Sequence, residues 1–423
     1  MKILWVKAGK ILPVDTGGKI RSYNLLRYLH TRHDVTFLSY YGGKRDEGYE
    51  KEIGRELPGA VAIHVGTPGA KFYETVWEYA RAFPSRHPFS VARFTSRKIQ
   101  HLLAEWIAEG RFDVAICDFL APSLNFPSQL ALPTVLFQHN VEGVLWRRQA
   151  ETQESGWKKL LYGIEAARME RYESSAVRRF HHVIAVSEKD RQWMGEMTDV
   201  SRISVVPTGV DLGLYRRDSA NAVKPLVVFT GSMDWRANID GVAYFCREIW
   251  PAVEARVPDA RFRIVGRYPP KSIRRLASGT IEVTGAVPSI TEHLREAAVV
   301  VVPLRIGGGT RLKIYEAMAM GKVVVSTTVG AEGLNVHHGV DIMLCDDPKA
   351  FGEAVVMLLE DASLREKYGQ AAAQLAAQYD WPVIADQFAE ILENIIQPGK
   401  VSSEAGGKIV SRQVASAESA GTP

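Results

Sequence analysis

The chain has 423 residues, of which 46% are hydrophobic and 24% are charged, and its formal net charge is +4. This profile is typical of a soluble globular protein and excludes a fibrous or wholly disordered chain. The length exceeds what one hydrophobic core usually serves, so we expect two or three domains. The apolar run Ala297–Leu304 is too short to cross a bilayer, which needs roughly 20 residues.

The two halves of the chain differ in charge. Residues 1–207 hold six more basic than acidic residues, whereas residues 208–423 hold two fewer. This indicates either an anionic partner (a phosphate, an acidic lipid surface or a nucleic acid) or ordinary variation in surface charge. The start, MKILWVKAGK, has no long apolar region, and the cysteines are three and scattered. We therefore expect a cytoplasmic protein without a disulfide framework or a zinc site.

Short β-branched runs alternate with helical patterns along the chain, which predicts parallel sheets with helices on both faces. In the first half the predicted strands are KILWVKA (2–8), DVTFLSYY (34–41), AVAIHVG (60–66), DVAICDF (113–119), PTVLFQH (133–139), HVIAVS (182–187) and ISVVP (203–207). In the second half they are LVVFTGS (226–232), RFRIVG (261–266), IEVTG (281–285), AVVVVPL (298–304), KVVVST (322–327) and DIMLCD (341–346).

The alternation occurs twice, which predicts two doubly wound α/β domains in tandem. We expect a first domain at 1–207, a hinge at 208–223 and a second domain at 224–380. A helix at 381–397 is expected to cross back to the first domain, and a disordered tail is expected at 398–423. Because open parallel sheets bind ligands beyond the carboxyl ends of their strands, the chemistry is expected in the cleft between the domains.

The most informative segment is PLRIGGGTRLKIYEAMAMGKVVVSTTVGAEGL at 303–334. A buried strand leads into Gly307, Gly308 and Gly309, and a helix is predicted from Thr310 to a C-cap at Gly321. Glycines let the backbone approach a ligand closely, and the helix N-terminus adds unpaired N–H donors. Together they predict an anion site suited to a diphosphate.

Charged side chains surround this predicted anion site. Arg305 and Lys313 add positive charge on either side, with Lys313 expected about one turn into the helix. Glu316 lies three residues further on the same face, where its carboxylate is placed to accept hydrogen bonds from two ribose hydroxyls. The alternative is a glycine-rich turn followed by a surface Glu–Lys pair.

This segment resembles the donor-binding region of glycosyltransferase family 4, the retaining GT-B enzymes. Glu316 followed by AMAMGKVVV matches the second half of that family's E-x7-E motif, whereas Gly308 stands at the place of the first glutamate. The resemblance implies a GT-B fold, two Rossmann-like domains that face each other across a cleft. It also implies that Glu316 holds the nucleotide ribose, and that main-chain groups of Gly308, Gly309 and Thr310 assume part of the missing glutamate's role.

Other segments resemble the family in the same order along the chain. Gly17 and Gly18 follow the first strand, where family members place a glycine pair beside the donor diphosphate and the acceptor. His139 ends the strand PTVLFQHN and matches a histidine near the donor sugar; Glu142 either orients it, contacts the acceptor or only begins a helix. VVPTGVD at 205–211 resembles the family's hinge motif.

The loop FTGSMDWRANIDG at 229–241 departs from the family pattern. Ser232 stands at the place of a diphosphate-binding arginine, and Ala237 or Asn238 at the place of a lysine. Gly231 and Ser232 are still expected to donate hydrogen bonds, and Arg236 to substitute in part. Because of this departure, we expect Arg305 and Lys313 to stabilise the leaving diphosphate. His139 is expected to contact the sugar.

The resemblance implies a retaining transferase that moves a sugar from a nucleotide-diphosphate sugar to a glycan or lipid-linked acceptor, as in polysaccharide biosynthesis. We expect no cofactor, no metal, since no Asp-x-Asp follows a strand, and no nucleic-acid partner. The segments at 73–83 and 88–106 combine aromatic and basic residues on amphipathic helices. They indicate either peripheral contact with the inner face of an anionic membrane or ordinary buried helix faces.

Three other functions are compatible with parts of this pattern. A sugar-nucleotide epimerase shares the fold but needs acid and base carboxylates in the cleft. A nicotinamide oxidoreductase needs G-x-G-x-x-G after the first strand, a spacing that KAGKILPVDTGG lacks. A catalytically weak scaffold or nucleotide-sugar-binding subunit is favoured by Gly308 and Ser232, whereas the presence of Arg305, Lys313 and Glu316 together argues against it.

Overall fold

The computed structural model describes residues 1–66, 85–129, 132–151, 153, 155–217, 224–306 and 311–397. The predicted roles of Gly308, Gly309 and Thr310, the predicted amphipathic segment at 73–83 and the predicted tail at 398–423 all lie outside these residues. The described chain forms two parallel sheets, each with helices on both faces.

The first sheet has the strand order β3-β2-β1-β4-β5-β6-β7, with every neighbouring pair parallel. Its strands are β1 (Lys2–Ala8), β2 (Asp34–Tyr41), β3 (Val61–His64), β4 (Val114–Asp118), β5 (Thr134–Phe137), β6 (His182–Ala185) and β7 (Ile203–Val205). The strand order reverses between β1 and β4, and this switch point opens a crevice at their carboxyl ends.

The second sheet repeats the pattern in the order β10-β9-β8-β11-β12-β13, again wholly parallel. Its strands are β8 (Leu226–Thr230), β9 (Arg261–Val265), β10 (Ile281–Gly285), β11 (Val299–Val302), β12 (Val323–Ser326) and β13 (Met343–Leu344). The central strands are fully buried and rich in valine, as strands covered by helices on both faces require. Its switch point lies between β8 and β11.

The described α-helices connect these strands. They are α1 (Gly17–Leu29), α2 (Glu47–Glu56), α3 (Phe89–Ala92), α4 (Arg97–Ala108), α5 (Glu142–Glu151), α6 (Gly156–Arg179), α7 (Glu188–Gly195), α8 (Arg236–Tyr244), α9 (Trp250–Arg256), α10 (Lys271–Arg274), α11 (Ile290–Glu296), α12 (Leu312–Ala319), α13 (Pro348–Glu360), α14 (Ala362–Ala376) and α15 (Trp381–Ile396). A π-helical turn, Phe245–Ile249, joins α8 to α9, and short 3₁₀ segments occupy Ala121–Asn125, Val200–Arg202 and Ala377–Tyr379.

The fold prediction is confirmed: both halves are doubly wound parallel α/β units, and each predicted strand contains an observed one. The helix after the glycine loop differs from the prediction at its start. It begins at Leu312 instead of Thr310, because Arg311 at its N-cap has a non-helical backbone (φ −91°, ψ 37°). Lys313 is therefore in the first helical turn, closer to the loop than expected. Gly321 ends the turn after the helix with φ +68°, a conformation that favours glycine.

The last helix, α15, packs on the first sheet although it follows the second one in the chain. The ring of Phe388 lies 5.5 Å from that of Trp5 and 5.2 Å from that of Phe137, measured between centroids. Asp386 pairs with Arg32 beyond the end of α1. At the hinge, Gly209 lies so close to Trp381 that an added Cβ would stand 2.6 Å from its ring, so only glycine fits there. The chain thus passes between the two domains twice, once at the hinge and once before α15.

None of the described helices is long and apolar enough to cross a membrane. For the segment 88–106, the structure agrees with the alternative of buried helix faces. Ile99, Leu103 and Ile107, on the apolar face of α4, are buried in the core of the first domain. Among the described residues, the large apolar side chains exposed on this domain include Trp157 and Leu160, which flank Lys158 and Lys159 at the start of α6.

Candidate functional site

Three helices begin where the central strands of the two sheets end. They are α1 after β1, α8 after β8 and α12 after β11, and none of them has a side-chain hydrogen bond at its N-cap. The N-cap side chains therefore do not occupy the first N–H groups of these helices, and the helix dipole at each start favours an anion.

Lys313 projects from the first turn of α12 to the end of β8. Its ammonium donates a hydrogen bond to Asn238 Oδ1 at 2.9 Å and lies 4.2 Å from the centre of the Phe229 ring. A Cβ added at Gly231 would stand 2.6 Å from this ammonium, so the glycine leaves the space that the lysine occupies. Asn238 is itself held by a bond from its Nδ2 to the carbonyl of Ser232 at 2.7 Å. The lysine is thus fixed beside Gly231, in the loop that follows β8.

Burial and, to a smaller extent, the nearby Arg311 together lower the pKa of Lys313 to about 7, and Glu316 opposes the shift. Near neutral pH the ammonium is therefore only partly protonated in the unliganded protein. An anion bound beside it would favour the protonated form. Lys313 is thus a cation whose charge depends on what occupies the pocket.

Glu316 lies one turn further along α12 and is half-buried. The hydroxyl of Tyr215, a hinge residue, lies beside its carboxylate. Burial raises the pKa of Glu316, and the tyrosine and Lys313 oppose that rise. The sequence analysis did not identify Tyr215 or the positioning role of Asn238, because both contacts join segments far apart in the chain.

Arg267 orients the hydroxyl of Ser232, which still has its own proton to donate. This hydroxyl accepts a hydrogen bond from Arg267 Nε at 3.1 Å, and the same guanidinium donates to the carbonyl of Asp15 at 3.1 Å. Arg267 therefore links the loop after β8 to the loop before α1 across the mouth of the cleft. The sequence analysis did not single out this arginine.

Arg305 lies at the edge of the predicted site. Its guanidinium forms two hydrogen bonds with Asp240, at 3.0 and 2.6 Å, and lies 4.5 Å from the centre of the Tyr244 ring. The side chain is 52% exposed. Its charge is already paired with a carboxylate, in contrast to that of Lys313, so the catalytic role assigned to Arg305 stays a prediction.

A buried ionic cluster stands at the switch point of the first sheet. Asp118, at the end of β4, accepts hydrogen bonds from Lys7 Nζ at 3.0 Å, Trp5 Nε1 at 2.9 Å and His139 Nε2 at 2.8 Å. Lys7 also donates to Ser22 Oγ at 3.0 Å. Lys7, Asp118 and His139 are each at most 4% exposed. The cluster joins the ends of β1, β4 and β5.

The charges in this cluster determine which nitrogen of His139 carries its proton. Burial alone would raise the pKa of Asp118, but Lys7 and His139 hold it well below its ordinary value, so Asp118 is ionised. Burial lowers the pKa of His139 to about 3, despite Asp118, so the imidazole is neutral. Because an ionised carboxylate only accepts, the proton is on Nε2. Nδ1 is then a lone-pair acceptor, and it has no partner among the described residues.

The ring of Phe119 positions His139 against the start of α1. The two rings stack with centroids 3.7 Å apart, and Phe119 has the unusual φ of +68°. A Cβ added at Gly18 would stand 2.5 Å from Phe119 Cζ and 3.6 Å from His139 Nδ1. Gly17 and Gly18 are the first two residues of α1. Gly18 and the histidine therefore meet at the carboxyl edge of the sheet, although β4 lies between the strands that precede them.

A cavity of about 390 Å³ opens beside this cluster on the first domain. Gly9, Thr16, Lys19, Phe119 and Glu142 are among its lining residues. Burial raises the pKa of Glu142 to about 7. Its own backbone N–H and that of Gly143 are capped by the Glu173 carboxylate, at 2.8 and 2.9 Å, which leaves the Glu142 side chain facing the cavity. The volume is within the range of small-molecule sites.

The described part of the chain contains no group of three or more His, Cys, Asp or Glu side chains that could hold a metal ion. Its three cysteines are free, with Cys117 and Cys246 buried.

Two family models match the chain. Glycosyltransferase Family 4 matches residues 16–214, and Glycosyl transferases group 1 matches residues 224–361. Together they cover about four fifths of the sequence and correspond to the two sheets.

A relative and two solved structures agree with these matches. The phosphatidyl-myo-inositol mannosyltransferase of Mycolicibacterium smegmatis is 29% identical over 372 residues, which are 84% of this chain and 88% of that protein. Sucrose-phosphate synthase from Thermosynechococcus elongatus superposes with a TM-score of 0.67 at 16% identity, over 93% of this chain and 99% of that one. Anabaena HepE in complex with UDP and glucose gives a TM-score of 0.63 at 14% identity, with the same coverage of both chains.

The two matched regions, the switch point in each of the two sheets and the mannosyltransferase relative all indicate the same class of protein. The chain is a GT-B glycosyltransferase of the family 4 type.

Proposed function

We propose that this protein is a retaining, metal-independent glycosyltransferase that transfers a sugar from a nucleotide-diphosphate sugar to a lipid-linked or glycan acceptor in polysaccharide biosynthesis. The observation that supports it best is the lysine at the second switch point. Lys313 is held in a glycine-walled pocket, next to Glu316 and the uncapped start of α12. A cation and free N–H groups at that place suit a diphosphate.

The proposed donor site assigns a role to each of its polar groups. Lys313 and the main chain at the start of α12 hold the diphosphate and stabilise the negative charge that develops when it departs. Glu316, oriented by Tyr215, accepts hydrogen bonds from the ribose hydroxyls. His139 Nδ1 accepts a hydrogen bond from a sugar hydroxyl, because Asp118 holds the proton on the other ring nitrogen. The departing diphosphate receives the proton of the acceptor hydroxyl, so no separate base is required.

The acceptor is proposed to enter through the 390 Å³ cavity of the first domain, where Glu142 and Lys19 offer contacts to a hydroxylated headgroup. The similarity to a phosphatidyl-myo-inositol mannosyltransferase supports a lipid-linked acceptor.

A lipid-linked acceptor requires contact with a membrane, and we place that contact at the start of α6. Trp157 and Leu160 are 64% and 65% exposed and flank Lys158 and Lys159. This pattern suits the surface of an anionic membrane. The wild type is expected to co-sediment with anionic vesicles more than with neutral ones, and a Trp157→Ala/Leu160→Ser variant is expected to lose most of that binding. Equal sedimentation of the two proteins would contradict this surface.

Donor binding can be tested by thermal unfolding of the whole chain with UDP, GDP, ADP and their sugar conjugates, in EDTA. A ligand that binds only the folded state raises Tm, here by about 2 °C or more at a concentration of roughly 100 times Kd. The rise is expected for one nucleotide series and is expected to disappear in Glu316→Gln. Lys349→Met, which removes an exposed lysine outside the pocket, is the matched control.

Turnover separates the proposed enzyme from the scaffold alternative. With the donor found above, NMR should show transfer to an acceptor, or slow donor hydrolysis, with the anomeric configuration kept. Binding without either reaction would support a nucleotide-sugar-binding subunit, which the pairing of Arg305 with Asp240 favours. No binding of any nucleotide, or a reaction that EDTA abolishes, would contradict the proposal.

A further inference from the structure

A second, smaller cavity lies between the two domains beside the hinge. Its volume is about 80 Å³, which admits a small group and is well below the volume of a whole nucleotide site. Arg21, His139 and Ser187 line it from the first domain, Thr208 from the hinge, and Arg311 and Glu332 from the second domain.

Two arginines of this cavity are buried, and two of the three guanidinium nitrogens of each have no partner among the described residues. Arg21 is 1% exposed; its Nη2 donates to Thr208 Oγ1, and its Nε and Nη1 have no partner among the described residues. Arg311 is 2% exposed; its Nη2 donates to the carbonyl of Val329 at 3.1 Å, and its Nε and Nη1 are likewise without a described partner.

The carboxylates of the cavity are bonded to other groups. Asp190 accepts a hydrogen bond of 2.6 Å from the hydroxyl of Ser187. Glu332 forms ion pairs with Lys189 and with Arg148, and the pair with Arg148 measures 3.4 Å. The charged side chains that line the cavity in the described part of the chain are thus four cations and two carboxylates: Arg21, Arg148, Lys189, Arg311, Asp190 and Glu332. A guanidinium keeps its proton in proteins, and an unpaired buried charge is strongly unfavourable. The excess positive charge therefore calls for an anion.

We propose that this interdomain cavity binds a small oxyanion, a carboxylate or phosphate group carried by a sugar, between Arg21 and Arg311. The planar fork of a guanidinium matches the oxygens of both groups. His139 lines the same cavity, and its Nδ1 lone pair has no described partner and can accept from an O–H donor. A sugar acid or sugar phosphate supplies the oxyanion and the hydroxyl together. This inference depends on the proposed function in one respect only: if the protein transfers sugars, the bound sugar is a substrate or part of a substrate.

The probes are glucuronate, glucose 6-phosphate and, as the neutral control, glucose, each titrated into the whole chain at constant ionic strength and followed by Tm and calorimetry. At least one charged sugar is expected to bind and raise Tm, and glucose is not. In Arg311→Gln the affinity is expected to fall about tenfold or more, as for the loss of a charge-assisted hydrogen bond. Arg247→Gln, an exposed arginine outside the cavity, should bind like the wild type.

The stability of the variants shows whether Arg311 is instead a structural residue. Removal of an unpaired buried charge is expected to leave the Tm of unliganded Arg311→Gln unchanged or higher, and Arg311→Lys is expected to retain part of the anion response. Binding of glucuronate alone assigns a sugar carboxylate, and binding of glucose 6-phosphate alone assigns a sugar phosphate. The proposal is overturned if neither sugar binds, or if Arg311→Gln binds as tightly as the wild type. If the protein binds a charged sugar but does not bind a nucleotide or does not turn over, the result contradicts the proposed function. It does not contradict the anion site.

Discussion

Replacement of Lys313 by methionine is expected to lower the turnover number of glycosyl transfer by about 10²- to 10³-fold, the usual loss when one fixed donor to a developing anion is removed. Methionine keeps the length of the side chain and its contact with Phe229, so the fold should persist. The ammonium that Asn238 holds at 2.9 Å would be absent. Steady-state rates with the donor identified by thermal unfolding measure the effect, and Lys349→Met is the matched control.

The pH dependence of donor binding distinguishes a charge effect from a change in shape. The pKa of Lys313 in the free protein is about 7, so binding of an anionic donor above that pH must take up a proton. The affinity for a nucleotide sugar is therefore expected to be constant well below pH 7 and to fall by up to about tenfold per unit above it. Calorimetry in two buffers of different ionisation enthalpy measures the proton uptake. The assignment of Lys313 to the donor diphosphate would be contradicted if Lys313→Met turned over normally. It would also be contradicted if the affinity of that variant still depended on pH in the same way.

Replacement of Asp118 by asparagine is expected to lower the free energy of unfolding by about 3–5 kcal/mol, because the buried ammonium of Lys7 loses its counter-charge. The same change removes the fixed acceptor that holds the His139 proton on Nε2, so transfer activity should fall as well. Denaturant unfolding measures the first effect and steady-state rates measure the second.

A double variant and a pH series control this prediction. In Lys7→Met/Asp118→Asn both charges are absent, so most of the lost stability should return, whereas activity should not. The folded-state pKa of Asp118 lies below its ordinary value, so its contribution to stability is present above about pH 4 and is lost as the pH falls through the folded-state pKa. If Asp118→Asn is as stable as the wild type, the cluster does not contribute to stability as proposed.

Local signals in the sequence were enough for the strands and the overall architecture. Runs such as Val299–Val302 are apolar on both faces, and only a strand covered by helices on both sides buries them fully. The contact between Gly18 and His139 was not predicted, although both were expected beyond the carboxyl ends of parallel strands. The start of α12 was predicted two residues early, since the non-helical backbone of Arg311 has no signature in a glycine-rich segment.

The amino-acid sequence by itself determined the number and order of the strands, the doubling of the α/β unit and the segment around Lys313 and Glu316. These follow from periodicity and from residue types within one strand–loop–helix unit. Only the tertiary structure decided which charges are already paired: Arg305 with Asp240, Arg267 across the cleft to Asp15, and Asp118 with Lys7 and His139. The reason is physical. Pairing and burial depend on distances between segments far apart in the chain, and in this protein those distances distinguish the exposed, neutralised Arg305 from the buried, unpaired Arg311.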